Sequence, residues 1–168
     1  MKPKEEALTV ERLRELLDYS PETGEFRWRV SPSNSVSSGS VAGAPDRKGY
    51  WYIQIAGARY LAHRLVWLYV NAVWPKEQID HVNCTRADNR ITNLREATPT
   101  ENGENIRHAK TNSSTGLLGV SWYKRTGKFT AKIKVNGKQL HLGYFYSAED
   151  AYAAYLVAKR KYHSHCTL

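Results

Sequence analysis

Thr98-Pro99-Thr100-Glu101 pairs a threonine with a glutamate three residues on and puts proline at the first helical position. The hydroxyl and the carboxylate can each satisfy a backbone N–H that the first helical turn leaves unpaired, and proline has no N–H to leave unpaired, so a helix starts here. Two short apolar-flanked stretches precede it, around residues 79–82 and 93–95, joined by a polar loop. The local order is therefore strand, loop, strand, helix. Asn102 lies in the first turn of that helix, one residue past the capping box.

Elsewhere the pattern mixes both periodicities. Leu8, Val10, Leu13, Leu16 and Leu17 fit a short amphipathic helix, and residues 25–30 alternate charged with apolar after a Pro21-Glu22-Thr23-Gly24 turn. Residues 31–40 are a Ser-rich loop, residues 50–62 read as a hairpin around Ala56-Gly57-Ala58, and a helix begins at His63. The most linker-like stretch is 111–115, followed by strands at 119–123, 128–135 and 138–145, with Asn136-Gly137 as the hairpin signal. A last helix runs over 148–162 behind Ser147 as N-cap. The fold class is α+β, with one region over 1–110, a linker at 111–115 and a second domain over 116–168.

Charge is concentrated. Residues 1–30 carry 6 Lys/Arg and 7 Asp/Glu (−1), residues 31–105 carry 8 and 7 (+1), and residues 106–168 carry 11 and 2 (+9). Such a field attracts a polyanion and releases its counterions. On basicity alone a membrane surface, an acidic protein or a merely solvated face stays open. Apolar runs are too short to span a bilayer, and Met1 to Glu6 has no signal-like apolar stretch. Cys84 and Cys166 form no CxxC pair, so a reduced, cytoplasmic setting without a membrane is expected.

The stretch 79–107 carries the chemistry. Asp80 and Asn102 offer hard oxygen ligands, which suit Mg²⁺ or Mn²⁺ better than zinc. His81 titrates near neutrality when unperturbed and can deprotonate water. In a regular strand it faces away from Asp80, so a strand end or bulge is required for both to reach one phosphate. Arg64, Arg90 and Arg95 could touch phosphates or pair with Asp88 and Glu96. His63 could contact DNA or pack at a helix start. His163-Ser164-His165-Cys166 could bind zinc or fray as a tail.

These residues, Ala62-His63-Arg64-Leu65-Val66-Trp67, Ile79-Asp80-His81, Asp88-Asn89-Arg90, Asn93-Leu94-Arg95, Thr98, Asn102 and Asn105, resemble the HNH endonucleases of the phage and homing type over about residues 50–107. The resemblance implies a ββα-metal core with one divalent cation. Asp80 and Asn102 would be its ligands, His81 the general base, and Asn93 the residue that holds the loop. Asn102 stands where the family often has His, which argues against tight zinc binding. The implied substrate is double-stranded DNA, cut to 5′-phosphate and 3′-hydroxyl ends by a monomer or homodimer.

Residues 116–165 resemble an AP2-type DNA-binding domain, through Gly119-Val120-Ser121-Trp122, residues 127–133, Leu142-Gly143-Tyr144-Phe145 and residues 148–155. That resemblance implies a three-stranded antiparallel sheet with a helix on one face and DNA on the other. By strand alternation the DNA face carries Ser121, Tyr123, Lys124, Arg125, Lys132, Lys134, Lys138 and His141. Lysine holds phosphate as a point charge, so affinity and register are expected over sharp base reading. The competing reading is a DNA-binding regulator with an inactive HNH centre, and an RNA-binding role lacks a ribonucleoprotein-type motif.

Overall fold

A computed structural model of the chain describes residues 7–163. The charged segment 1–6 and Ser164, His165 and Cys166 of the tail motif lie outside the described residues. The chain forms two compact units, Met1–Ala97 and Thr98–Leu168.

In the first unit Thr9 caps helix α1 (Val10–Leu16), its hydroxyl accepting from Arg12 N at 3.2 Å. The chain leaves the helix directly into β1 (Leu17–Tyr19), which pairs antiparallel with β2 (Phe26–Trp28). The expected helix and strand are both present, each shorter than its sequence pattern. A second sheet has the order β3-β4-β5: β3 (Ala44–Pro45), β4 (Trp51–Ile55) and β5 (Ala58–Leu61). Strand β5 runs straight into helix α2 (Ala62–Asn71), which stops at Ala72 in the left-handed region. A two-stranded ribbon follows, β6 (Gln78–His81) with β7 (Leu94–Ala97), the long connection ending in a 3₁₀ turn at Ile91–Asn93.

One apolar core joins these pieces. Leu13, Leu17, Phe26, Ile53, Leu65 and Val66 are essentially fully buried within it. Each contributes about 1.5–3 kcal/mol relative to exposure. The ribbon adds Ile79 and Leu94, so the strands that carry the candidate site are anchored in the core.

The second unit opens with helix α3 (Pro99–Glu104), where the capping box forms in both directions: Glu101 N donates to Thr98 Oγ1 and Thr98 N to Glu101 Oε2. Strands β8 (Val120–Tyr123), β9 (Lys128–Val135) and β10 (Lys138–Phe145) make an antiparallel sheet of order β10-β9-β8. Helix α4 (Ala148–Tyr162), capped by Ser147, packs on it through Ala151, Tyr155 and Ala158. Gly119 is required by this packing. Its φ is +76°, and a Cβ there would sit 2.1 Å from the Tyr155 ring.

Candidate active site

The β6–β7 register sets Asp80 opposite Arg95 and His81 opposite Leu94 without a bulge. Consecutive Asp80 and His81 therefore leave the ribbon on opposite faces, and His81 is the last residue before the strand ends. The backbone turns at once: Cys84 N donates to the His81 carbonyl at 2.8 Å, with Cys84 at φ +62°. Both residues are 5% exposed.

Asp80 is clamped across the ribbon. Arg95 Nε and Nη2 donate to the same Asp80 oxygen, Oδ2, at 3.0 and 2.8 Å. The sequence left this arginine between phosphate contact and pairing with Asp88 or Glu96. Glu96 instead accepts from the backbone N–H groups of Lys76 and Glu77.

His81 stands edge-on to His63, with ring centroids 5.1 Å apart and planes at 87°, and 6.3 Å from the Tyr50 ring. Its Nε2 lies 3.1 Å from Asn89 Oδ1. An amide oxygen only accepts, so the imidazole carries its proton on Nε2 and its basic lone pair on Nδ1. Burial pushes the His81 pKa down, with the Asn89 bond and the Asp80 charge opposing it in part. His63 is pushed down further, to about 3, chiefly by burial and then by His81 and Arg64. Its Nδ1 is buried without a hydrogen-bond partner. Both imidazoles are neutral near pH 7.

Asn93 ties the loop between the strands. Its Oδ1 accepts from Asn83 N at 2.9 Å, and its Nδ2 donates to Asn83 Oδ1 at 3.0 Å and to the Asp88 carbonyl at 2.8 Å. Arg90 folds back on Asp88 with bonds of 2.8 and 2.5 Å, and this bond is the main cause that holds the Asp88 carboxyl down to about 2. Arg64 donates to the backbone carbonyls of Glu77 and Pro75. Within the first unit, then, Asp80, His81, His63, Asn93 and Arg95 come together around the ribbon. Asn89, quoted in the motif without a role, proves to be the partner of His81. Arg64 and Arg90 are engaged in fold-internal bonds. Asn102 sits in α3 of the second unit, half-buried.

In the second unit, the sheet face away from α4 carries Ser121, Tyr123, Lys132, Lys134 and His141, by the pairings Ser121↔Thr130, Tyr123↔Lys128, Gln139↔Lys134 and His141↔Lys132. Tyr123, Thr130, Lys132, Gln139, His141 and Tyr144 line a hollow of about 300 Å³ there. His141 Nε2 meets Thr130 Oγ1 at 2.9 Å, and the rings of Tyr123 and Tyr144 stack at 5.5 Å. Lys124 and Arg125 lie exposed in the β8–β9 turn, Arg125 over the Tyr123 ring. Lys138 pairs with Val135, on the helix-facing parity at the hairpin end. Lys159, part of the basic excess, is 1% exposed and donates to the Ile106 carbonyl.

Residues 60–104 match the family described as HNH endonuclease, so the segment from β5 through α3 is an HNH endonuclease domain. Protein 3.8 of Escherichia phage T7 is 35% identical over 94 residues, covering 55% of this chain and 74% of that protein. The chain belongs to the HNH endonuclease family. No solved structure matches it. Among the described residues no helix is long and apolar enough to cross a membrane.

Among the described residues no cluster of three His, Cys, Asp or Glu is placed to hold a metal. A carboxylate and a carboxamide oxygen, the donor types of Asp80 and Asn102, are hard ligands that suit Mg²⁺ or Mn²⁺.

Proposed function

We propose that the chain is a metal-dependent DNA endonuclease that hydrolyses phosphodiester bonds, with His81 as general base. The observation that carries this reading is the buried His81 imidazole hydrogen-bonded to Asn89, one residue from the Asp80 carboxylate, inside the matched HNH segment. Nδ1 of His81 takes the proton of the attacking water, and the Asn89 amide keeps the ring in the tautomer that allows it. Asp80 and, from the sequence, Asn102 would hold one Mg²⁺ or Mn²⁺, which when bound supplies Lewis-acid stabilisation of the phosphate and the leaving oxygen. Arg95 orients Asp80, and Asn93 fixes the loop between them. The AP2-like reading of residues 116–168, joined to the nuclease region through 111–115, assigns the lysine-rich sheet face to duplex DNA. Arg64, Arg90 and His63 keep at most an indirect part, through the bonds and packing that hold the ribbon and loop. A single centre nicks, and two in a homodimer cut both strands.

A DNA-binding regulator without cleavage is the second reading. It draws on the low exposure of His81 and the arginine clamp on Asp80. Plasmid cleavage separates the two. With Mg²⁺ the protein should convert supercoiled DNA to nicked or linear forms with 5′-phosphate ends, and EDTA should abolish this. Binding without any strand cleavage across Mg²⁺ and Mn²⁺ would favour the regulator.

A further inference from the structure

The loop that presents Asn89 to His81 belongs to no sheet or helix, yet Asn89 is 3% exposed and its amide must stay within 3.1 Å of the imidazole. What holds it comes from 70 residues earlier in the chain. The Tyr19 hydroxyl, on β1, donates to the Asn89 carbonyl at 3.0 Å and accepts from Ile91 N at 2.8 Å. One phenol thus bridges the backbone on either side of Arg90. The ring is fixed in turn by Phe26 at 5.2 Å and Tyr69 at 5.8 Å.

The turn after β1 adds a steric stop. Gly24, at φ +76°, lies so close that a Cβ would fall 2.5 Å from Arg90 N and 2.6 Å from the Asn89 carbonyl carbon. On the other side Asn93 Nδ2 holds the Asp88 carbonyl. Residues 88–91 are therefore gripped from both flanks. The matched family segment begins at residue 60 and contains only the Asn93 side of this grip.

We infer that the N-terminal hairpin is part of the nuclease centre, with Tyr19 as a positioning residue that acts through Asn89 on His81. The inference rests on the reading of His81 as the base. Its physical basis is the sensitivity of catalysis to small displacements: a partner that orients the base must hold its place to a fraction of an ångström. A phenol whose ring is packed and whose hydroxyl makes two backbone bonds gives that constraint.

A double-mutant cycle in the full chain tests it, read as the single-turnover cleavage rate of bound duplex plasmid with Mg²⁺. Asn89→Ala should slow cleavage about ten- to a hundredfold, the range for removing a group that orients a ligand or base. Tyr19→Phe keeps the ring packing and should slow cleavage about tenfold within that same range, with DNA affinity unchanged. The double variant should be no slower than Asn89→Ala alone, because Tyr19 would have nothing left to position. Amide exchange at Ile91 should speed up in Tyr19→Phe, which reports the lost bond even if the rate is hard to measure.

A Tyr19→Phe rate within twofold of wild type overturns the inference. So does a full additional loss in the Asn89→Ala background, which would mark Tyr19 as a general stabiliser. If His81→Ala cleaves like wild type, the base assignment fails instead, whatever Tyr19 does.

Discussion

Replacing Asn93 with alanine removes three hydrogen bonds at once: Asn83 N to Oδ1, and Nδ2 to Asn83 Oδ1 and to the Asp88 carbonyl. At about 1 kcal/mol net per bond the ceiling is about 3 kcal/mol. Asn83 and Asp88 are only half-buried, so water can take over some of the freed groups. We therefore expect a loss of about 2 kcal/mol, which for a unit of this size lowers Tm by on the order of 10 °C. Urea denaturation followed by tryptophan fluorescence reads it, since Trp28, Trp51, Trp67 and Trp74 all lie in the first unit. Asn93→Asp should be at least as damaging. It keeps the acceptor for Asn83 N but loses both donors and sets a second carboxylate beside Asp88. A loss below about 0.5 kcal/mol, the range of an ordinary surface change, would refute the view that Asn93 holds this loop.

Other outcomes follow from the same geometry. Arg95→Ala removes both guanidinium bonds to the buried Asp80 carboxylate, so stability at pH 7 should drop by about 2–3 kcal/mol in a urea melt, discounted from the fully buried case because the arginine is partly exposed. Adding Asp80→Asn to that variant should restore part of the loss. His63 has a folded-state pKa of about 3, below its unfolded value, so the unfolded chain binds the extra proton between those two values. Its contribution is complete above pH ~6.5 and declines as pH falls towards 3, by about 1.4 kcal/mol per unit. His63→Phe should flatten the stability profile between about pH 6.5 and 4.5, above the carboxylate range. Lys132→Ala should reduce the salt slope of duplex binding by about 1, measured by fluorescence anisotropy, if that face holds phosphate.

Local signals in the sequence translated directly into structure. The Thr98–Glu101 box, the Ser147 cap and the Asn136-Gly137 hairpin all form where their chemistry places them, Asn136 and Gly137 with φ of +50° and +80°. Each depends on neighbours within four residues. What stayed illegible depends on register or on distance in the chain. Plain alternation keeps Leu140 and Leu142 together opposite His141 and sets Lys138 with them, against its expected place on the DNA face. The register keeps Lys138 and Leu140 on the helix-facing parity, and a bulge between His141 and Gly143 breaks the alternation only beyond His141, turning Tyr144 onto the face of Thr130 and His141. Arg95 has Glu96 beside it in sequence but Asp80 opposite it across the ribbon. Lys159 counts as surface charge until the fold buries it. Strand β3 is two residues long and exists only because β4 lies beside it. The candidate site divides in the same way. Asp80 and His81 are adjacent and readable as a pair, whereas the partner of His81 comes from eight residues on and that partner's support from the N-terminus.

On the proposed reading, His81 removes a proton in the step that cuts DNA. The most direct test is the single-turnover cleavage rate of His81→Ala on saturated duplex with Mg²⁺, beside the wild-type rate and the affinity of both for the same DNA. A general base contributes about 10²–10⁴-fold, so the variant should lose at least a hundredfold in rate while binding as tightly as wild type. A variant that cleaves within a few-fold of wild type would contradict the account.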